Sequence, residues 1–169
     1  MLTTPALWIA FAAMIPLMVL TAYWDLRDLR IPNKLVLCVL AVFVVTGLWD
    51  LPLDTFLWRL LYGFIALAIG FGLFSLGAIG GGDAKMVAAL VPFAVPADIL
   101  LILLIYAVLT LVLIMVLRLI MQMVRHRETG WKSLDQLKKP ARERVFPMGL
   151  VFGSTILSYL AILTFFGAG

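Results

Sequence analysis

Uncharged apolar runs close to twenty residues long, separated by short polar breaks, recur along this chain and restrict its fold more than any other feature. An apolar helix of ~20 residues spans the ~30 Å hydrocarbon core of a bilayer and bonds its own backbone polar groups there. Residues 5–24 carry no charge and show neither a basic start nor a small-residue cleavage site, so they read as a first span and not as a removable signal peptide. Composition agrees, with 64% hydrophobic and 13% charged residues, where soluble domains average ~45–50% and ~25%. The mean hydropathy is +1.15. An all-α polytopic membrane protein is the expected fold class.

The polar breaks set the number of crossings. Residues 5–24, 33–49, 60–78, 83–95, 99–123 and 145–166 are the expected helices of a single transmembrane domain, with 125–144 as the one sizeable hydrophilic loop. The division at 83–123 needs an argument, because residues 86–117 as one helix would be ~48 Å long, more than the bilayer core accepts even with tilt. A turn at Pro96 to Asp98 resolves this, since proline breaks the preceding helix and aspartate caps the next. Of the 13 basic residues, all but Arg59 then fall in loops on one face, which predicts that face to be cytoplasmic and both termini periplasmic. That distribution marks topology, with attraction to anionic lipid as a secondary effect, and nucleic-acid binding is discounted despite the net charge of +4.

The sole cysteine, Cys38, and the sole histidine, His126, exclude a disulfide framework, a CxxC zinc site and a multi-histidine metal centre. Any chemistry falls to carboxylates, with no metal or organic cofactor expected. Asp25 and Asp83 are separated by two crossings and so share a membrane face. Each sits where an apolar helix meets a short polar loop, partly dehydrated yet within reach of water. Two carboxylates a few Å apart do not both ionise readily, so one can activate water while the other donates a proton. The run Gly80-Gly81-Gly82 ahead of Asp83 permits unusual backbone dihedrals and close approach of an extended peptide.

Asp25 with Pro32-Asn33 seven residues on, the Gly80-Gly81-Gly82-Asp83-Ala84-Lys85 stretch as a GxGD motif, and the late Phe146-Pro147-Met148-Gly149 together resemble the type IV prepilin peptidases. The resemblance implies an aspartic endopeptidase of the bacterial inner membrane, with Asp25 and Asp83 as its catalytic pair. It would remove the basic leader of prepilins or pseudopilins at the cytoplasmic face, before the apolar pilin helix. The chain lacks the insert with two CxxC pairs found in larger members, so N-methylation is not implied. Its length and D-x6-P-N spacing look like the peptidase-only forms of Flp or tight-adherence pili. Met148 stands where the family usually has an aromatic.

Blander roles compete at each position. Asp25 could be an interfacial helix-end charge and Asp83 a helix cap, and Asp28 is expected to partner Arg30 or water. Lys85 reads chiefly as a topology residue. Pro32 and Asn33 read as a turn and helix start, and Pro147 with Gly149 as a kink and close crossing, Gly149 and Gly153 forming a small-xxx-small pair. Asp50, Asp54 and Asp98 read as solvated outer turn residues, and Cys38 and the methionines as packing or lipid-facing. Two other functions remain open: a small ion- or proton-coupled transporter using Asp25 and Asp83, and a non-catalytic scaffold of pilus assembly.

Overall fold

The computed structural model describes residues 3–123 and 148–166, and every regular element within them is helical. Among the described residues, five helices are long and apolar enough to cross a membrane. Helix α1 (Thr4–Asp28) ends where Leu29 turns left-handed, at φ 53°, and donates its N–H to Asp25 O at 3.0 Å. Helix α2 (Asn33–Asp50) starts after the extended Pro32, and α3 (Leu53–Ser75) starts after Pro52.

The break expected across residues 50–59 is therefore much shorter, and α3 begins seven residues before position 60. Proline immediately before a helix presets its first turn, and Asp54 in that turn favours the positive end of the helix dipole. Arg59 consequently lies inside α3 and is 5% exposed, with Nη1 3.5 Å from the Pro92 carbonyl. Helix α3 stops at Ser75, short of position 78, because Gly77 takes φ +72°. The Gly77 and Ala78 N–H groups bond back to Phe74 O and Leu73 O, each at 2.9 Å, a Schellman closure in which glycine relieves the left-handed strain.

Helix α4 (Gly81–Leu90) is ~15 Å long, about half of a hydrocarbon core. It ends earlier than position 95 because Pro92 has no N–H to continue the ladder and its ring crowds the carbonyl four residues back. Two single turns of 3-10 helix follow, Val91–Phe93 and Pro96–Asp98, before α5 (Ile99–Met123). The pass back along α3 is thus compound. Gly70 faces Ala84 and Gly63 faces Pro92, so α4 and its first turn run antiparallel to α3. The last described helix, α6, is Met148–Phe166. Pro147 and the 125–144 loop lie outside the described residues.

Helix α1 packs between α2 and α6, α5 leans on α6, and α4 touches α2, α3 and α6 from within. The core joins Met14 and Met18 of α1, Val39 and Phe43 of α2, Met86 of α4, and Tyr159 and Leu160 of α6. Phe43 stacks on Phe56 at 5.7 Å and meets Phe93 edge-on at 5.3 Å. Cys38, in contrast, is exposed.

Of the three aspartates expected to be solvated at the outer turns, Asp54 is exposed, whereas Asp50 and Asp98 are half-buried and hydrogen-bonded. Asp98 accepts a 2.7 Å bond from the buried Tyr159 hydroxyl, which itself accepts from Val95 N–H at 3.1 Å. Asp50 accepts from the backbone N–H and hydroxyl of Thr3, tying the start of α1 to the end of α2.

Candidate active site

The last turn of α1, the link into α2 and the start of α4 enclose a cavity of about 350 Å³. It is lined by Asp25, Leu29, Arg30, Ile31, Asn33, Gly80, Gly81, Gly82, Asp83 and Lys85. Asp25 and Asp83 both face it, and their carboxyl groups interact electrostatically. Asp25 is only 4% exposed, while Asp83 is half-buried. Asp28, the other acidic residue nearby, lies outside the lining, with Oδ2 3.8 Å from Arg27 Nε.

Backbone donors hold each carboxylate. Asp25 Oδ2 accepts from Leu150 N–H at 3.3 Å, and the Gly149 N–H bonds the same carboxylate. Asp25 thereby caps the N-terminus of α6 from 125 residues away, satisfying donors that a helix start leaves open. Asp83 is the third residue of α4 and accepts from Gly80 N–H at the cap, the side-chain half of a capping box. Capping and lining are therefore one arrangement: the bond that caps the helix also aims the carboxyl group.

The glycines divide by what a side chain would meet. A Cβ at position 80 would lie 2.8 Å from Asp83 Oδ2, and one at position 149 would lie 3.0 Å from both Asp25 Oδ2 and Ile31 Cδ1. At position 82 a Cβ would make ordinary contact with Ile31 at 3.5 Å, and at position 81 it would press the Phe74 ring at 3.3 Å. Gly149 thus acts directly on Asp25, closer than the indirect shaping its spacing suggested. Gly153 does meet α1, with Met18 Sδ at 3.3 Å, so both members of the small-xxx-small pair face that helix.

Asn33 and Lys85 are brought together at the cavity edge, Lys85 Nζ donating to Asn33 Oδ1 at 3.1 Å. Asn33 therefore does more than begin α2, whereas Pro32 keeps the expected role of preceding its first turn and is not among the lining residues. Met148 Sδ accepts from the Tyr106 hydroxyl at 3.7 Å and is directed toward α5. Ile31 was not foreseen. It is 8% exposed and lies beside both Gly82 and Gly149, wedging the starts of α4 and α6 apart. In the sequence it is one of three aliphatic residues, with Leu26 and Leu29, in the charged stretch 25–34, and nothing there sets it apart.

Among the described residues no group of three or more histidine, cysteine, aspartate or glutamate side chains is placed to hold a metal ion. The cavity offers a carboxylate pair fixed by main-chain donors, an arrangement suited to moving protons on and off a water molecule and a polar substrate bond.

No curated relative and no solved structure matches the chain. Residues 5–116 match the type IV leader peptidase family, a stretch that contains Asp25, Asp83, helices α2 to α4 and most of α1 and α5. On that match the chain, with its several apolar helices, belongs to the type IV leader peptidase family.

Proposed function

We propose that this protein is an aspartic endopeptidase of the bacterial inner membrane. It removes the basic leader from Flp-like prepilins or pseudopilins at the cytoplasmic face, with both termini periplasmic. The observation that carries the reading is Asp25 and Asp83 facing one cavity, each steadied by backbone N–H groups.

In hydrolysis one carboxylate takes a proton from the attacking water. The other donates to the carbonyl oxygen and later to the leaving amine. The pair acts as a unit, so neither aspartate is assigned the proton. The donors on Asp25 and Asp83 keep the free oxygens turned into the cavity and limit reorganisation during the reaction. A peptide must be extended to reach both groups, so the first residues of the substrate's apolar helix unwind beside Gly81 and Gly82.

The test is cleavage of a co-expressed Flp prepilin. Asp25→Asn and Asp83→Asn are each expected to lower the rate by at least ~10²-fold, the lower range for losing acid–base catalysis, with protein abundance unchanged. Cleavage by either variant at the wild-type rate overturns the pair. The transporter and scaffold readings gain no support from the cavity's place at one end of the helices.

A further inference from the structure

We infer that an apolar groove between α2 and α3 seats the hydrophobic segment that follows the scissile bond, so that substrate enters between these two helices. The inference rests on the peptidase reading above and adds the path of the substrate. Helices α2 and α3 are joined by a tight turn but touch little beyond it, while each packs on α4. The opening between them is a groove of about 370 Å³. Leu37 and Leu40 of α2 form one wall, and Leu60, Phe64 and Leu67 of α3 the other. Ala88, Ala89 and Pro92 form the floor.

Two features identify the occupant. First, the groove and the carboxylate cavity share Asn33 and Lys85, which line both. A chain lying in the groove therefore emerges beside Asp25 and Asp83. Second, the only polar lining is at that shared end. From Lys85 to Pro92 the floor runs ~10 Å along α4, about two turns of a helix, and the small side chains at positions 88 and 89 let another helix come close.

A phospholipid is also polar at one end, but its phosphate would be led toward two carboxylates that repel it. A polypeptide that changes from polar to apolar at its cleavage point matches both ends. Leu37 and Phe64 are 64% and 67% exposed, so this wall is open to the bilayer without unfolding of the core.

The test uses the full-length enzyme in a Cys38→Ser, Asp83→Asn background with a co-expressed prepilin. A benzophenone amino acid replaces Leu37, Phe64 or, as control, Leu104 on the exposed face of α5. Crosslinks from the first two positions to the start of the pilin's apolar segment, well above the control, are expected. In the otherwise wild-type enzyme, Leu37→Gln with Phe64→Gln is expected to slow cleavage ~10-fold, the weight of about one lost apolar contact, with Leu104→Gln near the wild-type rate.

Equal crosslinking from α5, adducts to lipid alone, or a wild-type rate in the double variant overturns the groove. Failure of the unmodified enzyme to cut the prepilin instead overturns the peptidase reading, which separates the two outcomes.

Discussion

Asp25 is a core residue by exposure and a helix cap by bonding, although the helix it caps is not its own. That geometry gives Gly149 a testable role. Ala is a better helix former than Gly by up to ~1 kcal/mol, which offsets part of the ~1–3 kcal/mol lost when buried donors are stranded, so Gly149→Ala should lower the melting temperature only modestly. The new Cβ at 3.0 Å from Oδ2 must nevertheless push the carboxyl group off its two donors. A displacement of this size costs on the order of 10²-fold in rate, so cleavage per folded molecule should fall far more than the modest loss of thermal stability in detergent accounts for. Gly80→Ala should behave alike through Asp83. Gly82→Ala only narrows the cavity and should lose less. Equal losses at positions 80 and 82 would contradict the geometry. The two aspartates and the glycine run were legible in the sequence, because helix parity places positions 25 and 83 on one face. The donors from α6 were not legible, since a backbone N–H carries no residue signature and 125 positions intervene.

At the scale of elements, prolines explain both the successes and the corrections. Pro32 and Pro52 sit before helices and start them. The break across residues 50–59 was overestimated because three charges were read as a loop, although Arg59 reaches back into the core to the Pro92 carbonyl. Pro92 was passed over in favour of Pro96, yet it is what halts α4. The irregular stretch between α4 and α5 is held at its far end by the Tyr159 hydroxyl, bonded to Asp98 and Val95. Tyr159→Phe keeps the ring and leaves the Val95 N–H without that acceptor. The expected cost is ~1–3 kcal/mol, the range for stranding a buried polar group. Thermal unfolding should shift down while the cleavage rate per folded molecule stays within about twofold, a 0.4 kcal/mol equivalent. A large rate loss would mean that this far-end contact reaches the carboxylates. Leu29, left-handed at φ 53°, is a second pressure point, because a non-glycine residue there costs ~1–2 kcal/mol. The four-residue link it opens carries Ile31 to its place between α4 and α6.

Across the whole molecule, charge divides along the helix axes in the same sense as the chemistry. Arg30 and Lys85 line the carboxylate cavity, and Arg27 and Lys34 flank it in the chain. At the opposite end the turns hold Asp50, Asp54 and Asp98, and the only cation among the described residues there, Arg59, is buried. Trp8 and Phe165, 4.9 Å apart, bring the outset of α1 beside the finish of α6 at that same end. Lys and Arg near helix ends tend to remain on the cytoplasmic side during insertion, so this polarity predicts a carboxylate pair that faces the cytoplasm. Labelling tests the orientation in a Cys38→Ser background. Ala97→Cys, exposed in the turn before α5, should react with a membrane-impermeant maleimide in intact spheroplasts. Ala78→Cys, exposed in the turn before α4, should react only after lysis. The reverse pattern would put Asp25 and Asp83 on the periplasmic side, where a leader still attached to cytoplasmic ribosomal product could not meet them before translocation. The basic leader would then have to cross the membrane before being cut, against the same charge rule that orients the enzyme, so one labelling result decides both the topology and the side on which cleavage takes place.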